Sequence, residues 1–389
     1  MNTYPALIAT ALVVASTAVF ADAPLLLTVT QSDDPAEFFQ LESSGRKNIA
    51  ASDNEVGLVW EETRKGQTAS YLAFKQLPGE SGFAAPIRLG GKDAFDPVIA
   101  YCGARYFVAW IETYSVQAAV YTAGGLSKSQ PLVKGPVNEL TIACAGDAAL
   151  LAWSKPQGQG YAVEVTRLEA DKGQLSHAPN VAVASADTYR FQTDPGVALA
   201  KGRIVVTWHD RSSGTNLLYA TSGKHLDRLD TQVQINELIQ KSDEWGRGSS
   251  AVRNALAVGK HERLVAVWLD KRSSRSGYKV YSAFSNDGGI SWGDNYGVID
   301  EWGTVVPQWT PAVASNGDKL LAVWMDSRED AKTIWMSKLH GMVWSSNDSL
   351  SGDAEEAHSP VIAYSPNGTL HAAWIETAAD GSQIRYYSK

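Results

Sequence analysis

The sequence predicts an all-β chain folded as one seven-bladed β-propeller of four-stranded antiparallel blades, closed by its N-terminal strand. Three observations carry the prediction. A two-part marker recurs along the chain, each copy sits in a strand-turn-strand pattern, and the two ends of the chain complement each other.

The marker is an apolar residue followed by alanine, at Ile49-Ala50, Ile99-Ala100, Ile142-Ala143, Val197-Ala198, Leu256-Ala257, Val313-Ala314 and Ile362-Ala363, with a tryptophan ten or eleven residues later. Those tryptophans are Trp60, Trp110, Trp153, Trp208, Trp268, Trp324 and Trp374, a period of 43 to 60 residues. The small alanine suits innermost strands that converge on the axis, and the tryptophan suits the wider space between blades. Each copy reads as a short strand, a turn such as Ser315-Asn316-Gly317-Asp318, and a second apolar strand such as Leu320–Trp324. A third strand follows, for example Tyr278–Ser282 or Thr333–Ser337, then a less regular fourth. No segment has helical periodicity beyond a turn or two. The last repeat ends after its third strand, near Gln383–Tyr387, while the apolar run Leu25–Thr30 precedes the first marker. That run is therefore expected to complete blade seven beside Ile384-Arg385-Tyr386, which removes two exposed sheet edges.

Met1–Ala21 reads as a secretory signal peptide, with an uncharged apolar stretch from Ala6 to Phe20 and small residues around the cleavage point. The propeller would then occupy Asp22 to Lys389, periplasmic or secreted, with no membrane span after signal removal. A net charge of −8 and a pI of about 5.4 argue against nucleic acid or an anionic membrane as a general partner. The seven histidines lack zinc-type spacing, no oxygen-rich calcium loop has a recognisable pattern, and no cofactor is indicated. Cys102 and Cys144 end the inner strands of consecutive repeats and are expected to form a disulfide, the alternative for such a pair being two buried thiols.

Ser285-Asn286-Asp287-Gly288-Gly289-Ile290-Ser291-Trp292 matches Ser-x-Asp-x-Gly-x-x-Trp at every defined position, and Ser337, Gly341 and Trp344 repeat its spacing without the aspartate. In this motif the chain resembles the sialidase-like (Asp-box, BNR-repeat) β-propellers. The resemblance implies that Ser285, Asp287, Gly289 and Trp292 brace the turn between third and fourth strands, a structural task. It also implies a ligand face on the opposite rim. The family's Phe-Arg-Ile-Pro motif has only a distant echo in Pro86-Ile87-Arg88-Leu89, and the chain has seven repeats where the sialidases have six blades. No arginine triad, acid or nucleophile of that family transfers to a residue of this sequence.

On the rim expected to hold ligand, an acid stands two residues after the tryptophan in six repeats, as Glu62, Glu112, Asp210, Asp270, Asp326 and Glu376, the exception being Ser154-Lys155. Arginine follows as Arg64, Arg211, Arg272 and Arg328. Such recurrence suits a carboxylate that closes its own turn and pairs with a nearby arginine, or a ring of charge that holds a carboxylated ligand. Long connections add Tyr189, Arg190 and Phe191 before repeat four, Trp245 before repeat five, and Trp302 and Trp309 before repeat six, as stacking platforms or as cover for their own blades. With His209, these residues make up the candidate binding rim. The principal expectation is a non-catalytic exported propeller that binds a protein partner or glycan. The alternative is a glycoside hydrolase or lyase acting on an acidic saccharide.

Overall fold

A computed structural model describes residues 24–41, 45–183, 191–237, 250–272, 277–300, 306–352, 354 and 356–389. They form seven antiparallel sheets in a β-propeller, with a single short 3-10 turn at Lys260–Glu262 among the described residues. Four strands run from the axis outward in each blade, named A to D. Blade 2, for instance, has A at Phe95–Cys102, B at Arg105–Glu112, C at Ser115–Thr122 and a fourth position split between Gly125–Leu126 and Gln130–Lys134. Blade 5 has Ala251–Val258, Leu264–Asp270, Lys279–Ser285 and Tyr296–Gly297. Closure is as the sequence predicts: Leu25–Ser32 pairs antiparallel with Gly381–Ser388, Leu27 opposite Tyr386 and Thr30 opposite Ile384.

Each marker tryptophan is almost fully buried and fills the gap to the preceding blade. Trp268 packs on Ala198, Val205 and Ala220 of blade 4, and Trp60 on Val361, Ala373 and Ile384 of blade 7. The ring is thus held by seven similar interblade cores. Truncating one such indole to alanine costs about 3–5 kcal/mol in a well-packed core. Cys102 and Cys144 are bonded, with Cα atoms 5.4 Å apart, linking the A-strand ends of blades 2 and 3.

Blade 1 departs from the repeat. Its A strand is broken into Phe38–Gln40 and Ile49–Ala51, both paired with Glu55–Arg64. Between them Gly45 and Lys47 reach the axial channel. The Gly45 carbonyl accepts a hydrogen bond from Thr141 Oγ1 of blade 3 at 2.6 Å, and a Cβ at Gly45 would stand 2.4 Å from the Asn254 carbonyl oxygen of blade 5. Gly45 has φ of +88°, so this position needs glycine for both space and backbone. Lys47 reaches across the channel to the carbonyl oxygens of Leu256 at 3.4 Å and Val313 at 3.1 Å, in blades 5 and 6.

Candidate functional site

The recurrent acid after each tryptophan is a fastening of the blade. Trp268 Nε1 donates to Asp270 at 3.2 Å, Trp324 to Asp326 at 3.0 Å, Trp110 to Glu112 at 3.2 Å and Trp374 to Glu376 at 2.9 Å. Blade 3, with Ser154-Lys155 at that place, takes the acceptor from strand C: Trp153 Nε1 donates to Glu164 at 3.3 Å, and Lys155 pairs with the same carboxylate at 2.8 Å. Asp210 instead closes its own turn by accepting the Ser212 amide at 2.8 Å, and Glu62 pairs with Arg64.

Arg272 and Arg328 are bound in parallel arrangements. Arg272 lies over the Tyr281 ring at 3.9 Å and reaches Asp270 (3.2 Å), Glu237 (3.1 Å) and Asn295 (2.5 Å). Arg328 lies over Trp335 at 4.2 Å and reaches Asp326 (2.6 Å), Asp300 (3.5 Å) and Asn347 (3.3 Å). In each set the acid of the D-to-A connection and the asparagine exchange hydrogen bonds through their amides, so the arginine clasps the connection to its blade. His209 is fully buried, so its ring does not face the rim. Burial lowers its pKa from 6.5 to about 3. Arg64 is half-exposed and also lies 3.6 Å from Glu37, and Arg211 is exposed. Tyr189, Arg190, Trp245 and Trp302 lie outside the described residues. Phe191 and Trp309 are 40% and 42% exposed, near Tyr161 and Tyr278 respectively.

The Asp287 turn sits at the other end of its blade. Asp287 accepts from Ser285 Oγ at 2.8 Å, Ser291 N at 3.0 Å and Ser291 Oγ at 2.5 Å, and Ser285 Oγ accepts the Gly289 amide at 2.9 Å. Gly289 has φ of +86° and lies against Val205 of blade 4, and Trp292 packs on the core between blades 4 and 5. Partial burial opposes ionisation of Asp287, but these hydrogen bonds outweigh it and hold the carboxyl below its ordinary range.

The ring of polar residues at the channel mouth comes from a position the sequence reading passed over. Four residues before the marker alanine, strand A bulges, and the residue there takes a left-handed φ: Asp96 (55°), Glu139 (62°), Asp194 (46°), Arg253 (57°), Thr310 (50°) and Ser359 (53°). Blade 1 places Arg46 at the equivalent point. A readable signal existed, since Pro97, Pro195, Pro311 and Pro360 follow four of these residues.

The acidic part of the ring is engaged in stitching one blade to the next. Glu61 accepts the Asp96 amide at 2.6 Å, Asp96 accepts the Leu140 amide at 2.8 Å, and Glu139 accepts the Asp194 amide at 2.8 Å. Arg46 pairs with Asp96 at 3.3 Å. Burial, then the neighbouring Asp194, raises the Glu139 pKa. The other part, Arg253, Thr310 and Ser359, opens onto a cavity of about 450 Å³. Arg253 is exposed and makes no ion pair among the described residues.

His358 lines the same cavity, with Nδ1 3.1 Å from Ser359 Oγ and Nε2 3.2 Å from Thr377 Oγ1. Its pKa lies below the ordinary value, through burial and then Lys332, against an opposing effect of Glu356. Glu37 is the one carboxylate among the described lining residues. Outward, the cavity shares Thr377, Ala378, Gly381 and Ser382 with a second of about 320 Å³. Inward, Gln40 is common to it and a third of about 940 Å³ over blades 1 to 3. Together they make a trough across the mouth. A cation unpaired among the described residues, a neutral imidazole and sugar-sized space lie on the rim formed by the B-to-C and D-to-A connections, opposite the Asp287 turn.

No family model matches the chain, and no curated protein matches it in sequence. Solved structures share its fold. The polysaccharide lyase Uly1 superposes with a TM-score of 0.63 at 8% identity, over 94% of this chain and 98% of that one. A PL25 ulvan lyase superposes with a TM-score of 0.59 at 10% identity, over 91% and 95%. A protein of unknown function from Dyadobacter fermentans gives 0.52 at 11% identity, over 94% and 99%. The chain therefore has the propeller fold that these two polysaccharide lyases also use.

Proposed function

We propose that this chain is an exported enzyme that cleaves a carboxylated polysaccharide by β-elimination at the channel mouth. The observation that carries the reading is Arg253: an exposed guanidinium without a carboxylate partner among the described residues, lining the same cavity as His358. A planar guanidinium binds a carboxylate in two places and neutralises it, which makes the adjacent C–H of a uronate more acidic. His358, neutral at physiological pH, accepts that C5 proton. The C–H electron pair becomes the C4=C5 double bond, the C4–O bond breaks, and the leaving oxygen takes a proton from the imidazolium or from water. A hydrolase would need two carboxylates flanking the scissile bond. Among its described residues the cavity supplies Glu37 alone, already hydrogen-bonded to Ser32 at 2.9 Å, which favours elimination. Both polysaccharide lyases among the similar structures agree with this reading at the level of fold.

The test is ultraviolet absorbance of the unsaturated uronate during incubation with a panel of uronate-containing polysaccharides. Activity should fall as pH drops through the lowered pKa of His358, because protonation removes the base. His358→Asn should abolish turnover while leaving binding within a fewfold. Absence of unsaturated product across the panel, with intact binding, would return the chain to the class of non-catalytic glycan-binding propellers.

A further inference from the structure

We infer that Tyr114 and Phe95 form a stacking subsite for an uncharged sugar ring of the same polysaccharide, in the part of the trough farthest from Arg253. This inference rests on the reading of Arg253 as the carboxylate site. Tyr114 belongs to blade 2 and Arg253 to blade 5, the greatest separation that a seven-bladed ring allows.

The first support is the turn that presents Tyr114. Strands Arg105–Glu112 and Ser115–Thr122 are joined by Thr113-Tyr114 alone, with φ of 49° and 56°. Two-residue hairpins with both residues left-handed favour Asn-Gly or Asp-Gly, because a β-branched or aromatic side chain is strained there. The equivalent turn of blade 1 uses Lys65-Gly66, with glycine at the second place and φ of 50° and 72°. Blade 2 accepts the less favourable pair and holds a tyrosine 71% exposed. Strain of this kind persists where the residue has a task that the turn itself does not need.

The second support is the surface beside it. Phe95, on the neighbouring A strand, is 37% exposed and pairs with Ile111. Both aromatics line the cavity of about 940 Å³, whose lining shares Gln40 with that of the Arg253 cavity. Aromatic faces bind the C–H face of a pyranose, and hydroxyls suit the polar wall. Charge decides which sugar fits. The wall carries Glu61, Asp93, Asp96 and Glu139 against one arginine, Arg46, which is paired with Asp96. A uronate would meet like charge there, whereas an uncharged ring would not. A polymer spanning the trough thus places a carboxylated unit at Arg253 and a neutral unit at Tyr114, so alternating uronate and neutral sugars match the whole surface.

The experiment measures calorimetric binding of the full mature chain to a hyaluronan-derived hexasaccharide, in which uronate and neutral sugars alternate, to hexagalacturonate, and to uncharged cellohexaose. Tyr114→Gly relieves the turn and removes the ring, so its melting temperature should equal or exceed that of the parent while affinity for the alternating hexasaccharide falls at least fivefold. Tyr114→Trp should retain affinity. Hexagalacturonate should bind the parent more weakly than the alternating oligomer and be indifferent to Tyr114→Gly. Unchanged hexasaccharide affinity in Tyr114→Gly, with loss in Arg253→Ala, would overturn the subsite and leave the carboxylate site standing. Loss of cellohexaose binding in Tyr114→Gly, with Arg253→Ala unaffected on every probe, would uphold the subsite and overturn the carboxylate site. A parent chain that binds none of the three probes would overturn both.

Discussion

The Lys47 ammonium lies 3.1 Å from the Val313 carbonyl oxygen, so a side chain of blade 1 spans the axial channel to blade 6. Loss of hydration there lowers its pKa from 10.5 to about 8. The unfolded chain therefore holds a proton on this group between those values where the folded chain does not, and stability from this group rises with pH across that window, with a slope of at most about 1.4 kcal/mol per pH unit. Lys47→Met should flatten the rise, measured as the difference in urea midpoint between the two proteins at pH 7.5 and 9.5. Parallel pH dependence in both proteins would show that the ammonium is hydrated as in solution.

Neither ring nitrogen of His209 has a hydrogen-bond partner among the described residues. With a folded pKa of about 3 against 6.5 unfolded, the unfolded state takes up the proton first, so this residue lowers stability as pH falls from 6.5 towards 3. His209→Leu removes two unpaired buried nitrogens, each costing about 1–3 kcal/mol when left unsatisfied. The variant should melt at or above the parent at pH 7, with the gap widening at pH 5. A marked loss of stability at neutral pH would reveal a partner that His209 serves.

Asp287→Ala should lower stability by about 1–3 kcal/mol through the loss of the turn's hydrogen bonds. Because the folded pKa is depressed, the contribution is present above the ordinary carboxylate range and disappears as pH falls through the folded value. Oligosaccharide affinity at pH 7 should stay within twofold of the parent, since the turn lies on the rim away from Arg253. Thermal denaturation and calorimetry on the same samples separate the two effects. A large affinity loss would place ligand on the Asp287 face.

The seven-bladed ring was legible because its signals are local and repeated: the alanine-to-tryptophan interval, the hairpin turns and the spare strand at Leu25–Ser32. The rim was less legible because repetition has two causes. Asp270, Asp326, Arg272 and Arg328 recur because blades 5 and 6 each satisfy a buried indole N–H and clasp a connection, and the one-dimensional pattern is the same for a ring of ligand-binding charges. Glu164 shows the limit further, since it replaces the missing acid of blade 3 from a different strand. Arg253 was hidden for the opposite reason. Its bulge position recurs, but the side chain there changes from acid to arginine to hydroxyl, and only the closed ring shows which of them remain without partners.

The most direct measurement of the central claim is the affinity of the parent and Arg253→Ala for a uronate-containing oligosaccharide and for its carboxyl-reduced counterpart. Arg253 as the carboxylate anchor predicts at least tenfold weaker binding of the native oligosaccharide by the variant, about 1.4 kcal/mol or more, with equally weak binding of the reduced oligosaccharide by both proteins. Equal affinity of parent and variant for the native oligosaccharide would contradict it.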